Sequence, residues 1–70
     1  MDDNYQVIGI IQSQVNGEWS ERGISADVYA VDRSHAKEKI LKLYADAAQR
    51  ADPAAIVRWH TPELVRVYSI

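Results

Sequence analysis

The dipeptide Asn16-Gly17 divides two long stretches that are rich in β-branched and aromatic residues. An Asn-Gly pair favours a type I′ turn, because both central positions of that turn need a positive φ. The sequence therefore predicts a hairpin whose strands are Tyr5–Val15 and Glu18–Val31. Gly23 interrupts the second strand and predicts a bulge there.

A change of period after the hairpin predicts a helix from Arg33 to Arg50. Asp32 or Ser34 can serve as its N-cap, since a side-chain oxygen there accepts a bond from a free backbone N–H. Pro53 disfavours helical geometry in the residue before it, so the helix is expected to end near Ala51. The apolar residues that recur at helical spacing, and are expected to pack on the sheet, are Ala36, Ile40, Leu43, Tyr44, Ala47 and Ala48.

The remainder of the chain predicts two short strands, Ala55–His60 and Leu64–Ile70, on either side of a turn at Thr61–Glu63. The predicted element order is β-β-α-β-β. Residues 1–70 are expected to form a single domain of the α+β class, with a single four-stranded antiparallel sheet and one helix packed on one face.

The helix can cover only one side of such a sheet, and alternate residues of a strand point to opposite sides. If Ile11 faces the helix, Ile8 and Ile10 face away from it, and the second strand adds Tyr29 and Val31 to that uncovered side. An uncovered apolar patch invites either a protein partner or a second copy of the chain, as a homodimer. The competing interpretation is that twist and loops cover part of the patch, or that the alternation slips by one residue at a glycine.

Two tryptophans are candidate anchors for a protein contact, because interface energy concentrates in Trp, Tyr and Arg side chains. Trp19 follows the hairpin turn and is flanked by Glu18 and Glu21, whose negative charge suits lysines and arginines of a partner. Trp59 and Arg58, in the third predicted strand, form the second candidate pair. Because that strand is apolar, Trp59 is also a candidate for the core.

The composition argues against several kinds of chemistry. Cysteine is absent and His35 and His60 are the only histidines, so no metal site is expected. No glycine-rich phosphate loop opens the helix, and we expect neither a cofactor nor catalytic activity. The formal net charge of −2 argues against direct binding of nucleic acid and favours a protein partner. With no long apolar run and no secretory signal, a cytoplasmic location without a membrane span is expected.

Four short segments of the chain resemble archaeal ribosomal protein LX, namely Tyr5–Gly9, Gly17–Trp19, Val28–Ala30 and His35–Ile40. The resemblance covers roughly the first half to two-thirds of the chain. It implies a similar ββαβ order and an RNA-binding, ribosome-associated module.

The layout as a whole, with a hairpin, a helix and a terminal hairpin, is similar to that of some small anti-CRISPR inhibitors made by phages and mobile elements. These are short, acidic and cysteine-free. The similarity implies a noncatalytic protein that binds a CRISPR effector complex and blocks its access to nucleic acid. We take this inhibitor as the first expectation, because the region after the predicted helix is not basic, and the LX-like module as the alternative.

Overall fold

A computed structural model describes residues 1–70 and confirms the predicted α+β architecture. The elements, in chain order, are β1 (Asp3–Val15), β2 (Glu18–Ala30), α1 (Arg33–Ala51), β3 (Ile56–Trp59), a turn of 3₁₀ helix (Pro62–Leu64) and β4 (Arg66–Ser69). The four strands form one antiparallel sheet. Helix α1 packs on one side of this sheet, as the sequence predicts.

The hairpin turn has the predicted geometry. Asn16 has a φ of 52° and Gly17 a φ of 81°, which are the positive values that a type I′ turn requires. The backbone N–H of Asn16 donates a hydrogen bond of 2.8 Å to the Asp52 carboxylate, at the end of α1. This bond ties the tip of the hairpin to the C-terminal end of the helix.

The register between β1 and β2 is continuous along both strands. Gly23 pairs with Ile10 without an extra residue on either strand, so the predicted bulge is wrong. The φ of Gly23 is not in the positive range that glycine favours, and the space where a Cβ would lie is open. Gly23 therefore acts only by leaving the position opposite Ile10 without a side chain.

Strands β3 and β4 lie end to end along the other edge of β1. Strand β3 pairs with residues 11–14 of β1, and β4 pairs with residues 5–8. The two short strands run in the same direction and do not pair with each other, so the predicted terminal hairpin is wrong. The 3₁₀ turn at Pro62–Leu64 carries the chain out of the sheet and back to the same edge instead of reversing it.

Helix α1 begins and ends close to the predicted residues. Asp32 is the N-cap, and its Oδ1 accepts a hydrogen bond of 2.9 Å from the backbone N–H of His35. The side of α1 that packs on the core carries Ala36, Ile40 and Tyr44. Leu43 lies about 100° around the helix axis from Tyr44, and its side chain is 64% exposed. Ala47 is exposed as well, so the predicted places of Leu43 and Ala47 on the packed side are wrong.

The core is one cluster between α1 and the sheet. Its buried members are Tyr5, Val7, Ile11, Ile24, Ala30, Ala36, Ile40 and Trp59. A Cβ atom added at Gly9 would lie 2.9 Å from Cζ3 of Trp59 and 3.1 Å from Cγ2 of Val65, so the indole ring packs directly on the backbone of β1. No helix of the structure combines the length and the apolar character that crossing a membrane requires.

The first prediction tests the orientation of α1. Ile40 is 2% exposed and Leu43 is 64% exposed, so Ile40→Asp places a charge without a partner in the core, whereas Leu43→Asp leaves its charge in water. We expect Ile40→Asp to lower the free energy of unfolding by more than about 3 kcal/mol and Leu43→Asp by less than about 1 kcal/mol. Circular dichroism with urea unfolding measures both. Equal stability of the two variants would contradict the packing described here.

The second prediction tests the contact between β1 and Trp59. Gly9→Ala forces the indole ring and Val65 to move, and we expect a loss of about 1–3 kcal/mol in the free energy of unfolding. Gly23→Ala is the matched control, because no atom lies within 4 Å of the new methyl group. That control should change stability by less than about 1 kcal/mol. If Gly9→Ala unfolds at the same urea concentration as the control, Trp59 does not pack on Gly9.

Candidate functional site

The side of the sheet opposite α1 has no covering element, and we call it the open face. The alternation of strand residues and the register of the pairs define its members. They are Asn4, Gln6, Ile8, Ile10, Gln12 and Gln14 from β1, Trp19, Glu21, Gly23, Ser25, Asp27 and Tyr29 from β2, and Ile56, Arg58, Arg66 and Tyr68 from β3 and β4. The predicted exposure of Ile8, Ile10 and Tyr29 on the uncovered side is confirmed. Val31 is exposed but lies beyond the end of β2, outside the open face.

The centre of the open face is apolar. Ile8 and Ile10 stand side by side on β1, and Ile10 is 46% exposed, since the residue opposite it on β2 is Gly23. On the other side, the segment between β3 and β4 brings Thr61 and Leu64 beside these isoleucines. Together with Gly9 they line a shallow depression of about 230 Å³. A partner's apolar side chain could enter it.

A chain of polar contacts holds the end of the open face that is nearest the hairpin turn. The Gln12 side chain donates from Nε2 to Oε1 of Glu21 at 3.0 Å, and its Oε1 accepts from Nε of Arg58 at 3.0 Å. Nε2 of His60 lies 3.3 Å from the same Glu21 oxygen, an ion pair when the imidazole is protonated. Gln12 thus links β2 to β3 across the central strand.

Arg58 also stacks on the predicted anchor Trp19. The guanidinium carbon lies 4.5 Å from the centre of the indole ring, within the range of a cation–π contact. Trp19 remains 47% exposed. The indole is therefore held in place on one side and is open to solvent on the rest of its surface.

The opposite end of the open face carries two exposed tyrosines, Tyr29 on β2 and Tyr68 on β4. On β1, opposite Tyr68, Nε2 of Gln6 donates a hydrogen bond of 3.1 Å to Oγ of Ser25. The sequence pattern does not predict Tyr68 as a member of the open face, because its membership depends on the pairing of β4 with β1. Ile56, Leu64 and Arg66 were missed for the same reason: nothing in the local pattern places β3 and β4 on one edge.

Charge is divided across the open face. The β2 side carries Glu21 and Asp27, while the side formed by β3 and β4 carries Arg58 and Arg66. The contact between His60 and Glu21 is the one ion pair within 4.0 Å in this chain. Asp27, Arg58 and Arg66 therefore have no ion partner within the chain. Strand β1, which carries Ile8 and Ile10 between Gln6 and Gln12, separates an acidic side from a basic side.

Two of the predicted contact residues lie on the other side of the sheet. Trp59 pairs with Ile11, faces α1 and is only 7% exposed, so the prediction that it belongs to the core is confirmed and it is not available as an anchor. Glu18 pairs with Val15, which puts it on the helix side of the hairpin end. Of the candidates near the first turn, Trp19 and Glu21 share the open face and Glu18 does not.

The titratable side chains do not gather into a chemical centre. His35 lies in the first turn of α1, whereas His60 follows β3. No group of three or more histidine, aspartate or glutamate side chains is placed to hold a metal ion. A second depression, lined by His35, Glu38, Lys39 and Lys42, has no apolar residue in its lining. Of the surfaces of this protein, the open face thus differs most in residue composition from an ordinary polar, solvent-exposed surface.

No family model, no curated protein and no solved structure matches this chain. A function is therefore inferred from the geometry of the open face.

Proposed function

We propose that this protein is a noncatalytic protein-binding module and that it engages its partner through the open face. The observation that carries the proposal is the apolar centre of that face, where Ile8 and Ile10 are exposed beside Leu64. An antiparallel sheet with one solvated side normally places polar residues there. Exposed apolar patches bordered by polar residues are typical of protein interaction sites.

The residues at the end of the open face near the hairpin turn are of the types that contribute most to binding energy. Trp and Arg side chains dominate interface energies, and here Trp19 and Arg58 are stacked together. The hydrogen bonds of Gln12 to Arg58 and Glu21 restrain these side chains before any partner arrives. Because these side chains are already ordered in the free protein, binding removes less conformational entropy, and the affinity is higher.

The most concrete form of the proposal is an inhibitor of a host defence complex, of the anti-CRISPR type. An effector complex holds nucleic acid with lysine and arginine side chains, and Glu21 and Asp27 offer such side chains an alternative contact. Covering that surface would block access of DNA or guide RNA. In this proposal the protein acts in the cytoplasm, where such a complex meets its target.

A second candidate, an RNA-binding module of the LX type, is favoured by one observation. Tyr29, Tyr68 and Arg66 are exposed on the open face, and aromatic and arginine side chains on a sheet can stack on unpaired bases. Against it, Glu21 and Asp27 line the β2 side of the same face and would repel phosphate groups. We therefore rank protein binding first.

The third prediction concerns Trp19. Once a partner has been captured from host lysate and purified, Trp19→Ala should weaken its binding by about 2 kcal/mol, or roughly 30-fold, because the main aromatic anchor is removed. Titration calorimetry measures the affinity, and urea unfolding measures stability separately. Leu43→Ala is the control, since Leu43 is an equally apolar, exposed residue on α1. Unchanged affinity of Trp19→Ala, or a loss that its own unfolding explains, would contradict the proposal.

The inhibitor and the RNA-binding module differ in a gel-shift assay with structured RNA at several salt concentrations. An LX-like module should shift the RNA with an affinity that falls steeply as salt rises, and replacement of Arg58 and Arg66 by Gln should reduce that slope. A protein-binding module should give no such salt-dependent shift. If a purified effector complex cleaves its target equally well with and without excess protein, the inhibitor form of the proposal is wrong for that complex.

A further inference from the structure

We propose that, without another partner, the open face binds a second copy of this chain in a two-fold symmetric dimer whose axis runs parallel to β1. The inference concerns the same face as the proposed function, but it requires no host protein. Three features of the open face support the dimer, namely its apolar centre, its division of charge and its area.

The apolar side chains lie where a two-fold axis would pass. Strand β1 is the middle strand of the sheet, and its residues Ile8 and Ile10 form the centre of the open face. In an interface with two-fold symmetry the same patch contributes from both copies, so residues on the axis meet their own counterparts. Ile8 and Ile10 would pack against the same residues of the second copy, with water excluded from both.

The charges select the direction of the axis. An axis parallel to β1 exchanges the two sides of the open face, so the acidic β2 side of each copy lies over the basic side of the other. Glu21 and Arg58 are both level with Gln12 on β1, so each would meet the other residue in the second copy. Asp27 is level with Gln6 and Arg66 with Ile8, so Asp27 would lie two residue positions along the strand from Arg66 of the second copy, an offset of about 7 Å.

The other face-to-face arrangement, with the axis across the strands, is disfavoured by the same charges. It would lay β2 over β2 of the second copy. Glu21 is level with Gln12 and Asp27 with Gln6, at equal distances along β1 from Gly9. An axis near Gly9 would therefore bring Glu21 of one copy onto Asp27 of the other, and two carboxylates would face each other.

The area of the face is sufficient for a reversible dimer. Strands β1 and β2 each have 13 residues, as the longest strands of the sheet. Each residue adds about 3.4 Å to the length of the face, and each of the three adjacent strand positions adds about 4.8 Å to its width. The face therefore covers about 600 Å². Two such faces bury about 1,200 Å², the lower limit for specific interfaces. We expect a dissociation constant in the micromolar range.

The dimer would regulate the proposed function, because the second copy covers Trp19 and the isoleucines that the partner needs. A partner could then bind only to the monomer. Its apparent affinity would fall as the concentration of this protein rises above the dimer dissociation constant.

Sedimentation equilibrium of the purified protein from about 1 to 500 µM tests the dimer directly. The wild type should change from monomer to dimer within that range. Ile10→Lys should weaken association at least tenfold, whereas Leu43→Lys, on the exposed side of α1, should leave it unchanged. If the wild type stays monomeric at every concentration, the dimer is wrong, and the proposed function is still tested by capture of a partner. If the dimer forms but no partner is captured, the proposed function is wrong and the dimer stands.

Charge exchange tests the direction of the axis. Glu21→Arg and Arg58→Glu should each weaken the dimer at least tenfold, because each brings like charges together. The double variant should recover most of the wild-type association, since both contacts are restored with reversed sign. Circular dichroism confirms that each variant is folded. Tighter association of Glu21→Arg alone would overturn the parallel axis, because in the crossed arrangement that residue faces Asp27 of the second copy.

Discussion

Strand β1 forms backbone pairs along both of its edges, and the position of every other element depends on it. Strand β2 pairs with its full length, while β3 and β4 divide the opposite edge between them. Its residues alternate between the core and the open face, so a slip of one residue would exchange the two. Val7 and Ile11 would then face water, and Ile8 and Ile10 would face the helix. Burial of the first pair therefore fixes the exposure of the second.

This coupling links stability to the proposed function. The chain has one helix with which to cover its sheet, and the β-branched residues of β1 lie on both sides of it. One set becomes the core with Trp59 packed on Gly9, while the other remains as an apolar centre between an acidic and a basic side. Exposure of these apolar side chains to water raises the free energy of the folded protein. Contact with another protein surface removes that cost, which is why we propose the open face as the binding surface.

The sequence predicted the features that depend on local chemistry. Asn16 and Gly17 located the hairpin turn, and Asp32 located the start of the helix, because each acts on backbone groups within a few residues of itself. The exposure of Ile8 and Ile10 followed from alternation alone. The position of β4 was not determined by the sequence pattern, because it depends on contacts with β1 more than 40 residues away along the chain. The pattern left Trp59 open between the core and an interface, and its pairing with Ile11 places it in the core. Of the open-face members that β3 and β4 supply, Arg58 was predicted, while Ile56, Arg66 and Tyr68 were missed.

The arrangement of β3 and β4 along β1 is tested most directly by cross-strand nuclear Overhauser effects. His60 donates its N–H to the carbonyl of Ile10 at 2.8 Å, which makes Ile11 and Trp59 a non-hydrogen-bonded pair with closely spaced α-protons. The N–H of Ile70 likewise donates to the carbonyl of Asn4, which makes Tyr5 and Ser69 a second non-hydrogen-bonded pair. Strong Hα–Hα effects are predicted for both pairs. Hα–Hα effects between β3 and β4 in their place would show a terminal hairpin and contradict the account.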